Sequence, residues 1–116
     1  MAFLPNGHLA IVEKEKLTDY LLSLTHPAGR SKAAFFQRFG FGASAWETLR
    51  DALLRHAMTA EITAVTDTAF GTKYTIEAGL AAPDGRRPWI RSVWFISSGH
   101  QAPRLVTAIP LPGGTE

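Results

Sequence analysis

Apolar positions in the first half of the chain recur at helical spacing, and those in the second half alternate as in strands. Leu17, Tyr20, Leu21 and Leu24 fall at i, i+3, i+4 and i+7, which predicts an amphipathic helix beginning near Glu13. Glu13, Glu15 and Asp19 sit toward its positive N-terminal end, and His26-Pro27 stops it, because the residue before a proline is pushed out of the α region. A second helix is expected from Ser31 to Phe39, with Ala34, Phe35 and Phe39 on or near one face and Gly40 as its stop. Ser44-Ala45-Trp46-Glu47 has the form of a capping box, opening a third helix whose buried stripe is Trp46, Leu49, Leu53 and Ala57.

Beyond Thr59, β-branched and aromatic residues alternate between turn signals. They predict strands at Glu61 to Thr66, Thr72 to Ala78, Pro88 to Ser97 and Arg104 to Ile109. The connections are too short for parallel crossovers, so the strands form an antiparallel meander. The expectation is an α+β fold: three N-terminal helices packed on one side of a four-stranded antiparallel sheet. Residues 1–116 read as a single domain, with an extended lead-in at 1–12, a helical part at 13–58, the sheet at 60–109 and a frayed tail at 110–116.

Composition narrows the function classes. The absence of cysteine excludes disulfides and thiolate metal sites. No apolar run approaches the ~18 residues of a membrane span, and the start lacks a signal-peptide pattern, so a cytoplasmic protein with no membrane partner is expected. The net charge of +2 is distributed unevenly: −1 over residues 1–29, +3 over 30–60 and 0 over 61–116. Arg30, Lys32, Arg38, Arg50 and Arg55 carry the excess, which reads as a solvated helical face before it reads as a binding patch.

The four histidines show no paired ligand spacing, and there is no P-loop, nucleophile elbow or dinucleotide fingerprint, so no metal or cofactor is expected. His26 lies where a helix end would favour its protonated form, and the start of the next helix beside Arg30 and Lys32 is a candidate anion site. His56, near the end of the third helix, reads as a charge-dipole residue. In the second strand, alternation puts Lys73, Thr75 and Glu77 on the side away from the helices. In the third, Trp89, Arg91, Val93 and Phe95 oppose Ile90, Ser92, Trp94 and Ile96, and either set suits the core. A sheet face keeping aromatic residues beside Arg or Lys would suit base stacking and phosphate contact, or equally a protein partner. Three residues apart on a regular strand, Arg104 and Thr107 would face opposite ways.

Leu4-Pro5-Asn6, His26-Pro27 with Gly29 and Lys32-Ala33, Phe35-Phe36, Leu49 to His56, Gly71-Thr72-Lys73-Tyr74, Asp84-Gly85-Arg86, Trp94 and Pro103 to Ala108 together resemble a bacterial and archaeal domain family of unknown function. Ile109 stands before Pro110 where that pattern has an aromatic residue. In its order of elements the family is similar to the barnase, EndoU, colicin and RelE superfamily of metal-independent ribonuclease toxins. That resemblance implies an RNA 2′-hydroxyl as nucleophile, a base or acid at His26, and a cognate inhibitor or immunity protein as partner. It makes His26 and Lys73 the candidate catalytic residues, and Lys32, Arg91, Arg104 and Trp94 the candidate substrate contacts. The competing expectation is a non-enzymatic interaction module of a two-protein system.

Overall fold

The computed structural model describes residues 2–115, with side chains described as far as residue 112. Helix α1, Lys14–Lys16, runs directly into a π-helical turn at Leu17–Leu21; α2 spans Arg30–Arg38 and α3 Trp46–Thr59. Short 3₁₀ turns at Gly7–Leu9 and Ala43–Ala45 precede α1 and α3. The strands are β1 (Ile62–Thr68), β2 (Gly71–Gly79), β3 (Pro88–Ser97) and β4 (Arg104–Thr115), antiparallel in the order β1-β2-β3-β4. The fold is the expected α+β arrangement of N-terminal helices and a meander sheet.

One layer of core joins helices to sheet. Leu17, Leu21, Phe36, Leu49, Leu53 and Ala57 pack against Ile76, Ile90, Trp94, Leu105 and Ala108, all of them buried. This settles the two faces of β3: Ile90, Ser92 and Trp94 point inward, while Arg91, Val93 and Phe95 line the uncovered side. The lead-in ties both sheet edges, as the Ile62 amide donates to the Ala2 carbonyl and Ile11 pairs with the start of β4.

Four local expectations are corrected. The first helix ends early, because Leu22 bonds back to the Leu17 carbonyl at 2.7 Å in an i to i+5 closure. That extra residue turns Leu22 onto the core in place of Leu24, which is 55% exposed. On α2 the buried residues are Ala33 and Phe36, with Ala34 exposed and Phe35 half-buried, whereas Phe39, just past its end, is buried as expected. The capping box does not form: the 3₁₀ turn delivers an already wound chain to α3, whose N-cap is Ala45 with no side-chain cap. Finally, β4 continues through the segment expected as a tail, Pro110 pairing with Ile90 and Thr115 with Pro88.

β4 carries a bulge at Val106. Trp94 pairs with Leu105 but Val93 pairs with Thr107, so one extra residue is accommodated between them. Leu105 and Ala108 thereby both reach the core, and Arg104 and Thr107 share the uncovered face. The opposite-face expectation held only for a regular strand.

Candidate active site

The π-helical turn sets Tyr20 at the outer edge of β4. Its hydroxyl lies 3.2 Å from Thr107 Oγ1 and accepts a hydrogen bond from Lys32 Nζ at 2.8 Å. Lys32 and Lys16 also lie over the Tyr20 ring, 5.1 and 5.9 Å from its centroid, and the His26 imidazole meets that ring edge-on at 5.1 Å. Tyr20, His26 and Thr107 line a cleft of about 790 Å³ together with Lys16, Asp19 and Glu13. Two segments therefore converge on the phenol that the π turn supplies: the following loop and α2 through His26 and Lys32, and the distant β4 through Thr107.

The electrostatics favour ionisation of that phenol. Partial burial alone would raise the Tyr20 pKa, but the hydrogen bonds of Lys32 and Thr107 and the charges of Lys32 and Lys16 outweigh it, and the net shift is downward. Gly29 makes the arrangement possible. A Cβ at that position would collide with the Tyr20 carbonyl, so only glycine lets α2 approach closely enough for Lys32 to reach the hydroxyl.

His26 is not a helix-end residue, since the preceding helix has already closed. Its Nδ1 accepts the Ala28 and Gly29 amides at 3.0 and 3.1 Å, and its carbonyl accepts those of Gly29 and Arg30. The Ala28, Gly29 and Arg30 amides are thereby engaged within the turn that leads into α2. With Nδ1 accepting, a neutral His26 carries its proton on Nε2, and that N–H is a donor to whatever contacts it.

The remaining candidates lie elsewhere. Strand register places Lys73 and Arg91 on the same, uncovered sheet face, and a groove of about 490 Å³ there also includes Glu77, bonded to Arg91 at 2.6 Å. His26 and Lys73 thus line separate clefts. Arg104 pairs with Glu13 at 3.2 Å. Trp94 is fully buried, so it is a core residue with no surface to offer a substrate. His56, expected as a charge-dipole residue, is also buried: Nε2–H donates to the Ala78 carbonyl at 3.1 Å, which leaves Nδ1 to accept from Ser92 Oγ at 2.9 Å. Ser92 in turn accepts the Trp94 indole N–H at 2.9 Å. Burial pushes the His56 pKa down, and every donor in the chain has an acceptor. The pair looks like a serine-histidine dyad but lies inside the core.

A family model described as a domain of unknown function, DUF6883, matches residues 3–112. The chain belongs to this family. No curated protein matches it. Among solved structures, family membership is accompanied by a likeness to a chain of a contact-dependent growth inhibition toxin and immunity protein complex from Klebsiella pneumoniae 342, with a TM-score of 0.69 and 16% identity over 88% of this chain and 100% of that one. At that identity the likeness is one of fold.

Among the described residues, no group of three or more His, Asp or Glu is placed to hold a metal ion, and no helix is long and apolar enough to cross a membrane. The sequence reading missed Tyr20, which fell on an apolar stripe and passed for core. Its hydroxyl was the available signal, since a tyrosine turned inward requires a polar partner for its O–H. Lys32, twelve residues on, supplies it.

Proposed function

We propose that this chain is a toxin-like domain that cleaves RNA without a metal ion at the Tyr20 cleft and is held in check by a cognate inhibitor protein. The observation carrying this reading is the convergence of Lys32 and Thr107 on a Tyr20 hydroxyl with a lowered pKa inside a cleft. Ionised Tyr20 takes the proton of a ribose 2′-hydroxyl, whose oxygen attacks the adjacent phosphorus. The bond from phosphorus to the 5′ oxygen breaks, leaving a 2′,3′-cyclic phosphate, and the departing oxygen takes a proton from solvent at the cleft mouth. Lys32 offsets the charge gathering on the phosphorane, and His26 Nε2–H donates to a non-bridging oxygen. The toxin and immunity protein complex among the similar folds supports an inhibitor as partner.

The test is incubation of purified, folded protein with total RNA in chelator. Wild type fragments the RNA, Tyr20→Phe and Lys32→Ala lower the rate by roughly 100-fold or more, and Arg55→Ala on the exposed side of α3 leaves it unchanged. Intact RNA after incubation with folded, partner-free wild type overturns the reading. It would favour the second one, an interaction module, for which the exposed Val65 and Phe70 of the β1–β2 hairpin supply an apolar surface.

A further inference from the structure

Gly71-Thr72-Lys73-Tyr74 and the uncovered sheet face take no part in the cleft chemistry. Strand register places Thr66, Lys73, Phe95 and Arg104 in one row across all four strands, and Val93 and Thr107 in the next row on the same face. Neighbouring strands are about 4.8 Å apart, so Phe95 stands between two cations whose backbones are about 10 Å from each other. Its ring lies down along the sheet over Gly71: a Cβ there would come within 2.8 Å of Phe95 Cζ, and φ of +153° already favours glycine. Lys73 is exposed and has no ion-pair partner among the described residues. The Arg104 pair with Glu13 has both side chains more than half exposed, and such a pair gives way easily to a phosphate. The Val106 bulge turns Thr107 onto this side, and Thr107 also contacts Tyr20 at the rim of the cleft.

From this row we infer that the uncovered sheet face is a track for single-stranded RNA leading into the cleft. One base stacks on Phe95, and the flanking phosphates are held by Lys73 and Arg104. The inference rests on the RNA reading above and adds where the strand lies and which form of RNA is taken. A duplex keeps its bases stacked inside and offers none to Phe95.

The test is fluorescence anisotropy with a labelled single strand of about 12 nucleotides carrying 2′-deoxy sugars, which cannot be cleaved by attack of a 2′-hydroxyl. Phe95→Leu weakens binding by about 5- to 150-fold, the range expected for loss of one stacked base. Lys73→Ala and Arg104→Ala each weaken it and lower the slope of log affinity against log salt by about 0.7. Arg55→Ala stays within about twofold, and an unlabelled duplex competes poorly. The two cation variants change exposed side chains and test the track even where Phe95→Leu loses stability, which a parallel thermal melt reads. Affinity indifferent to Lys73 and Arg104, or preference for the duplex, overturns the track. If wild type nevertheless cuts RNA, the cleft reading survives that failure. Binding that depends on Lys73 and Phe95 without any RNA cleavage overturns the cleft and supports the track.

Discussion

Replacing Ser92 by alanine removes one hydroxyl and breaks two buried hydrogen bonds. Ser92 and Trp94 are fully buried and His56 is 3% exposed, so water cannot substitute. The Trp94 N–H and His56 Nδ1 both lose their partner, having been bonded at 2.9 Å each. An unpaired buried polar group costs about 1–3 kcal/mol, so the variant loses about 2–5 kcal/mol with some relaxation of the two rings. Against a domain stability of about 5–15 kcal/mol, that is a large fraction of the whole. Urea unfolding at pH 7.5 reads it as a midpoint lowered by at least about 1 M, for a slope near 2 kcal/mol per M. Ser98→Ala, on an exposed turn, changes stability by less than about 0.5 kcal/mol. A Ser92→Ala loss below about 1 kcal/mol would refute the argument, since at least one orphaned group would have to find another partner.

Further outcomes follow from the same geometry. The His56 pKa is depressed on folding, so the unfolded chain binds the proton more readily; the associated stability is complete above the unfolded value of about 6.5 and is lost as pH falls from there through the folded value, a component that vanishes from unfolding curves of His56→Gln. Lys32→Ala raises the Tyr20 pKa by removing its largest favourable hydrogen bond and charge, and the ultraviolet tyrosinate titration, with Tyr20→Phe separating out Tyr74, shows the shift. Gly29→Ala costs about 1–3 kcal/mol by overpacking against Tyr20 and raises the same tyrosine pKa by pushing Lys32 away, whereas an unshifted titration would mean α2 does not position Lys32. Leu53→Ala, at the centre of the core, costs about 2–5 kcal/mol in the same urea assay.

The sheet was legible because local chemistry and tertiary structure agree there. Pro88 to Ser97 is rich in β-branched and aromatic residues and is bounded by turn signals, and β3 has those same bounds. What escaped was set by backbone irregularities that the side-chain pattern does not mark. The Val106 bulge arises because Leu105 and Ala108 must both reach the core, a demand invisible within β4 itself. The π closure from Leu17 to Leu22 moved Leu24 into solvent and Tyr20 to the edge of β4. Of the candidate site, His26 was singled out as the end of one helix and Lys32 as lying beside the start of the next, but Tyr20, which both contact, was not. His56 was misjudged because helix-end position was weighed and burial was not, and Trp94 because aromatic residues occupied both faces of β3.

The most direct measurement compares an RNA strand with its 2′-deoxy counterpart in chelator, with wild type and Tyr20→Phe protein, and identifies the ends produced. Cleavage of RNA alone, leaving 2′,3′-cyclic phosphate and 5′-hydroxyl ends and falling roughly 100-fold or more in Tyr20→Phe, is the predicted result. Equal cleavage of the 2′-deoxy strand, or full activity in Tyr20→Phe, would contradict the assignment of the Tyr20 cleft as the catalytic centre.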